Sequence, residues 1–177
     1  MEDEIQKYFP LSISFPEELG LLCNWVETNR YPISGYFQLR AGDGQDFYWW
    51  FRSHKADERL ALFGAGSDGS MYCIWKQDDG REPIVHLGSE GDEVKVLAGN
   101  MKDFIALLAI GYSEIGCEDM TKHPVKNEYL HPNFQSWVES EFGIEIPSVG
   151  LAIVKPAQES HQNFREWVNS ICNEEAK

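Results

Sequence analysis

The chain has no apolar run near the ~20 residues needed to cross a bilayer. Its opening, Met1-Glu2-Asp3-Glu4, is acidic where an export signal is basic. Neither membrane insertion nor export is expected. Bases are also scarce: 15 Lys and Arg stand against 29 Asp and Glu, for a net charge of −14. A surface that acidic repels phosphate backbones and anionic lipid, so neither nucleic acid nor membrane is an expected partner. Such a field attracts a basic protein or peptide, although the charge is spread along the chain and also serves solubility. The 4 cysteines, Cys23, Cys73, Cys117 and Cys172, lie far apart with no paired spacing. They are expected to be reduced and mostly buried, which fits a cytoplasmic protein.

Patterns that carry chemistry are equally sparse. His54, His86, His123, His131 and His161 are scattered. Cys117, His123 and His131 cluster loosely, without zinc-finger or HExxH spacing. There is no GxSxG elbow, and no cysteine sits in a thiol-hydrolase motif. Gly64-Ala65-Gly66-Ser67-Asp68-Gly69 looks like a phosphate loop, but no Lys-Ser or Lys-Thr follows. The next segment reads as a strand, so the helix N-terminus that holds phosphate is missing. The segment reads instead as a turn that needs glycine. Asp78-Asp79 and Asp92-Glu93 fall in turns, whereas general acid catalysis needs a shifted carboxyl in a cleft. The expectation is a chain that is not an enzyme and uses no cofactor and no metal.

What the chain does have is a core. It has 177 residues, 42% apolar and 13% aromatic, which suits one globular domain. Leu60 to Gly111 organises it. Met71 to Lys76 reads as a strand, Asp78-Asp79-Gly80 as a tight turn and Ile84 to Leu87 as the return strand. Pro83 opens that return strand, where a missing N–H costs least. Ser89-Glu90-Gly91-Asp92 is a second turn, and Val94 to Ala98 a third strand. Asn100 is placed to cap a helix, with Asp103 in its first turn. Phe104, Ile105, Leu107 and Leu108 form its apolar face and Gly111 its stop. The pattern predicts a three-stranded antiparallel meander under one helix.

Upstream, Ser14-Phe15-Pro16-Glu17 predicts a capped helix running to Thr28 or Asn29, with Leu19, Leu21, Leu22, Trp25 and Val26 turned inward. Ser34 to Arg40 and Phe47 to Phe51 read as two strands of a hairpin, linked by Ala41 to Gln45. His54 to Arg59 is loop-like, and Leu60 to Phe63 is a further strand. Downstream, 112–129 is polar and weakly patterned. Two amphipathic helices follow, over 132–142 and 160–172, with Gly143 stopping the first and Ser160 placed to cap the second. Asn133-Phe134-x-x-Trp137-Val138-x-Ser140 recurs as Asn163-Phe164-x-x-Trp167-Val168-x-Ser170. Two copies do not make an array, so both helices are expected to pack on one core. Val149 to Val154 reads as an edge strand or a buried loop. The fold class is therefore α+β: a single, mainly antiparallel sheet of about five or six strands with helices packed on it. The core spans about residues 14–111, and 112–177 form a helical extension.

Phe63-Gly64, the Gly66-Ser67-Asp68-Gly69 turn, Met71-Tyr72-Cys73-Ile74, Pro83-Ile84-Val85, Val96-Leu97-Ala98 and Asp103-Phe104 follow one another in a telling order. That order resembles the SUKH superfamily, which includes fungal cell-wall-synthesis regulators and bacterial toxin-immunity proteins. The chain departs from the pattern at Glu27-Thr28-Asn29-Arg30, where such proteins often carry Asn-Gly, and its last third matches nothing in it. The resemblance implies a protein-binding domain: an immunity protein that docks on a cognate toxin, such as a basic nuclease domain, or a regulatory scaffold without a toxin partner. A small-molecule binder is a further alternative. A monomer or weak homodimer is expected.

The aromatic run Phe47-Tyr48-Trp49-Trp50-Phe51 is where a docking anchor is expected. As a strand it alternates, so either Phe47, Trp49 and Phe51 point inward, or Tyr48 and Trp50 do. The second face of the sheet is expected to be covered by a helix, with the last third of the chain one source. The expected protein-binding surface is Tyr48 or Trp50 with the turn acids Asp78, Asp79, Glu82, Glu90, Asp92 and Glu93.

Overall fold

The structure, a computed structural model, describes residues 1–91, 93–125 and 129–174. Helices α1 (Glu2–Gln6) and α2 (Glu17–Asn29) precede the short strand β1 (Gln38–Leu39) and helix α3 (Asp46–Phe51). Strands β2 (Leu60–Ala65), β3 (Met71–Trp75), β4 (Ile84–Leu87) and β5 (Val94–Ala98) follow, then α4 (Met101–Ile110), α5 (Phe134–Phe142), α6 (Leu151–Ser160) and α7 (Phe164–Glu174). The five strands form one sheet in the order β1-β2-β3-β4-β5, every pair antiparallel. The α+β class holds, and the meander lies where its turn residues put it. Asn100 Oδ1 accepts the Asp103 amide at 2.9 Å and caps α4. Gly111 ends α4 in the left-handed region, at φ 97. A Cβ there would also come within 2.9 Å of Leu130.

Several elements differ from the sequence expectation. Phe47 to Phe51 is helical, closed by Trp49 N–H to Gln45 O at 3.0 Å and Arg52 N–H to Tyr48 O at 2.7 Å. A strand would present alternate aromatics to water; a helical turn puts Phe47, Trp50 and Phe51 on one side. Of the segment from Ser34 to Arg40, Gln38 and Leu39 alone are strand. Val149 to Val154 leads into α6 instead of forming a strand or loop. Val154 and Ala157 are buried at helical spacing, and Pro156 sits inside the helix. Ser14 does not cap α2: Pro16, extended at ψ 138, takes the cap position without a side-chain bond. Ser160 ends α6 and does not cap α7. Cys23 and Cys73 are buried, but Cys117 and Cys172 are exposed; all four are free thiols.

The sheet is apolar on both faces. Along β3, Tyr72 and Ile74 join one core, and Met71, Cys73 and Trp75 join the other. The first core is closed by Leu19, Leu22 and Trp25 of α2, Phe104 and Leu108 of α4, and Phe134 and Val138 of α5. The second is closed by Phe51 of α3, Ala157 of α6, and Phe164, Val168 and Ile171 of α7. The repeated Phe-x-x-Trp-Val helices therefore cover opposite faces, not one core. Trp25 meets Phe134 at 4.9 Å and Trp137 at 5.6 Å on the first face. Trp75 meets Phe164 at 4.8 Å and Trp167 at 5.4 Å on the second. A second face does get a helix from the last third, as expected.

Arg30, just after α2, has φ 72 and ψ 177, a region that L side chains rarely adopt. Its amide still caps α2 by donating to Val26 O at 2.8 Å, so helix closure holds the residue in place. Arg30→Gly is expected to stabilise the fold by about 1–2 kcal/mol in urea denaturation, because glycine adopts this conformation without strain. An unchanged or lower midpoint would contradict the strain.

Candidate functional site

Helix α3 forms because a polar loop sets its start. Asp46 accepts the Asp43 amide at 2.8 Å and the Arg40 guanidinium at 2.5 Å. Arg52 stops it in the left-handed region, at φ 56. Phe51 is buried, and Phe47 and Trp50 pack half-buried against the second core. Trp50 Nε1 donates to Gly88 O at 2.8 Å, which ties the helix to the β4–β5 turn. What remains outward is Trp49, 61% exposed. The Arg52 guanidinium lies 5.5 Å from its ring centre, and Tyr48 meets it edge-on at 5.5 Å. Tyr48 stacks on His54 at 4.8 Å, and His54 Nδ1 lies 2.8 Å from Asp57 Oδ2. A Trp–Tyr–Arg–His surface is thus braced from behind by a packed helix. The strand reading hid Trp49, which it grouped with Phe47 and Phe51. A count at helical spacing, placing 47, 50 and 51 together, leaves it out.

The expected acids do not gather into one surface. The β3–β4 and β4–β5 turns lie at opposite ends of the four-residue strand β4, ~13 Å apart at ~3.3 Å per residue. At the β3–β4 end, Asp78 pairs with Arg59 at 2.8 Å, Asp79 with Arg81 at 2.7 Å and Glu82 with Lys76 at 3.0 Å. At the β4–β5 end, Glu90 is exposed and Glu93 pairs with Lys95 at 3.0 Å. Asp92 lies outside the described residues. Through Gly88, the β4–β5 end is the one that Trp50 joins, so Glu90 and Glu93 are on the side of α3.

Both sheet edges are blunted. Tyr31 Oη accepts the outward Leu39 amide of β1 at 3.0 Å. Along β5, Arg165 donates to Val94 O and Gln158 to Val96 O, both at 3.3 Å. These side chains occupy groups that an added strand would use. No helix among the described residues is long and apolar enough to cross a membrane, and no group of three or more His, Cys, Asp or Glu side chains there is placed to hold a metal.

One half-buried polar cluster lies elsewhere, below the β2–β3 turn. Tyr72 Oη is 3.4 Å from Glu114 Oε1, and Ser67 Oγ donates to Glu114 Oε2 at 3.0 Å. Burial holds the Glu114 carboxyl above its ordinary range, and Asp68 adds to that. His86 is inside β4, with Tyr72 and Lys95 as register partners. The backbone of Gly116 closes over it: a Cβ there would sit 2.3 Å from Nε2. Neither ring nitrogen of His86 has a hydrogen-bond partner among the described residues.

Burial, then Lys95, push His86 down to about 4 from 6.5. The folded ring is therefore neutral, and stability is full above pH 6.5. As pH falls toward 4 the unfolded chain takes the proton first, so stability drops. Glu114, raised, acts in the opposite sense within the carboxylate range. Between pH 7.5 and 5 the His86 contribution is a loss of about 2 kcal/mol. His86→Leu is expected to remove that part of the slope in pH-dependent urea denaturation; an unchanged slope would show that the ring takes up its proton alike in the folded and unfolded chain.

No family model, no curated protein and no solved structure matches the chain.

Proposed function

We propose that the chain is a SUKH-like protein-binding domain: a cytoplasmic immunity protein that neutralises a cognate toxin by docking on it and performs no chemistry itself. The observation that carries the reading is Trp49, a large aromatic held in water on a rigid helix between Tyr48 and Arg52. Trp, Tyr and Arg are the residues that dominate binding energy in protein interfaces. The blunted edges favour docking through side chains over strand addition. The net charge of −14 favours a basic partner, such as a nuclease domain whose substrate groove would be covered. Glu90 lies at the end of the sheet that Trp50 joins, while Asp78, Asp79, Glu82 and Glu93, already paired, add only to the general field.

The test is capture of partners from the source cell on the tagged chain, then calorimetry with the purified partner. One basic, toxin-like partner is expected. Trp49→Ala is expected to weaken its binding by about 2 kcal/mol, roughly 30-fold, while Asp79→Asn changes it by less than ~0.5 kcal/mol. Association is expected to slow as salt rises. Many unrelated partners would instead favour a regulatory scaffold, and a Trp49→Ala variant that binds as tightly as the parent would overturn the anchor.

A further inference from the structure

At the end of the sheet that carries the β2–β3 turn, the first face is roofed by a turn over 114–118 and not by a helix. The turn runs between two pinned points. Ser113 O accepts the Tyr36 amide at 2.9 Å, and Met120 O accepts the Leu151 amide at 2.8 Å. Between them the backbone closes on itself. The Cys117 and Glu118 amides donate to Glu114 O at 3.1 and 3.0 Å, and the Glu114 amide donates to Glu118 Oε1 at 2.8 Å. Toward the sheet, Glu114 holds Ser67 Oγ and approaches Tyr72 Oη, which the Gly116 backbone also reaches. Ile115 enters the first core.

Beneath this turn lies His86, 1% exposed, with Tyr72 against its ring at 5.3 Å and no hydrogen-bond partner for either nitrogen among the described residues. Gly116 lies so close that any Cβ there would run into Nε2. The turn therefore fills the space where an acceptor for Nε2 would sit. A charged ring in this place would bury two N–H donors without acceptors, at a cost that a neutral ring avoids. The titratable groups around it are Tyr72 of β3, Lys95 of β5 with Glu93 before it, Asp68 of the β2–β3 turn, and Glu114 and Cys117 of the roof. Burial is the largest influence against charge on the ring, and Lys95 adds to it; Asp68 and Glu93 favour the charge. Asp68 is held below its ordinary range and the Cys117 thiol above its own, so neither changes state in mild acid. Glu114, held above the ordinary carboxylate range, favours the closed turn when it gains a proton.

We propose that the 114–118 turn is an acid-released cover: it lifts from the sheet as His86 takes a proton, and closes again over the neutral ring. Lifting lets water reach both ring nitrogens while Asp68 and Glu93 remain nearby as counter-charges. The open form then titrates as an ordinary histidine near 6.5, and the closed form only near 4. Acid therefore favours the open form from pH 6.5 downward, until Glu114 begins to oppose it in the carboxylate range. Between pH 7.5 and 5.5 the open population rises about tenfold. Pinned ends at Ser113 and Met120 confine the movement to the turn, so the rest of the sheet stays covered. The device stands apart from the protein-binding reading and shares no residue with the Trp49 surface.

The test is amide hydrogen exchange on the full chain at pH 7.5 and 5.5, corrected for the intrinsic rate at each pH. Protection of the Glu114, Cys117 and Glu118 amides is expected to be lower than that of the β3 amides at both pH values, and to fall about tenfold in acid. The Asp103 amide, held by Asn100 at the start of α4, is expected to keep its protection. Unchanged protection at 114–118 would overturn the proposal. So would protection equal to that of β3, since the ring would then be reached only by unfolding the whole chain. The second measurement follows the His86 ring by nuclear magnetic resonance. In the parent the ring is expected to stay neutral down to pH 5. In Gly116→Ala, whose added Cβ cannot fit beside the ring, it is expected to titrate near 6.5, with low protection at 114–118 at both pH values. A ring that stays neutral to pH 5 in that variant would show that the turn is not what keeps the charge out.

Discussion

A sheet whose middle strands are apolar on both faces leaves neither face to water, and the rest of the chain answers that constraint. Every residue of β3 is buried, from Met71 to Trp75. The first face takes α2, α4 and α5, the second takes α3 and α7, and α6 packs against β5 with Val154 in the first core and Ala157 in the second. On the second face Phe164, Trp167, Val168 and Ile171 of α7 bury or half-bury four apolar side chains. At about 1.5–3 kcal/mol each, that is roughly 6–12 kcal/mol, comparable with the whole stability of a domain. The helical extension is therefore structural, and the Phe-x-x-Trp-Val pattern occurs twice because two faces need the same kind of cover.

That arrangement also explains where recognition is possible. With both faces covered and both edges blunted by Tyr31, Gln158 and Arg165, backbone pairing is closed. What the chain can offer a partner is side chains on the covering elements. Helix α3 is short, and its three inward aromatics anchor it, so Trp49 is presented on a helix packed against the second core. The acidic character of the chain suits the basic partner proposed for it.

Legibility in the sequence followed how local each signal was. The meander and α4 were readable because Asp79-Gly80, Asn100 and Gly111 act within a few residues of themselves. Phe47 to Phe51 was not: five aromatics satisfy strand propensity, and only the neighbouring β1–β2 pairing and the Asp46 hydrogen bonds decide for a helix. Val149 to Val154 misled in the same way, since Ile, Val and a nearby proline outweighed the helical spacing of Val154 and Ala157. The acids read as one surface because sequence proximity hides the length of β4 between Glu82 and Glu90. Trp49 was missed for the reason the helix was missed.

The measurement that bears most directly on the double-sided sheet is the thermal unfolding of a chain ended after His161, which lacks α7 and leaves Trp75 uncovered, followed by near-ultraviolet circular dichroism and by binding of a hydrophobic dye. The expected result is loss of the cooperative transition with strong dye binding, while far-ultraviolet signal persists. A shortened chain that melts cooperatively within a few degrees of the parent and binds no dye would mean that the second face does not need its cover.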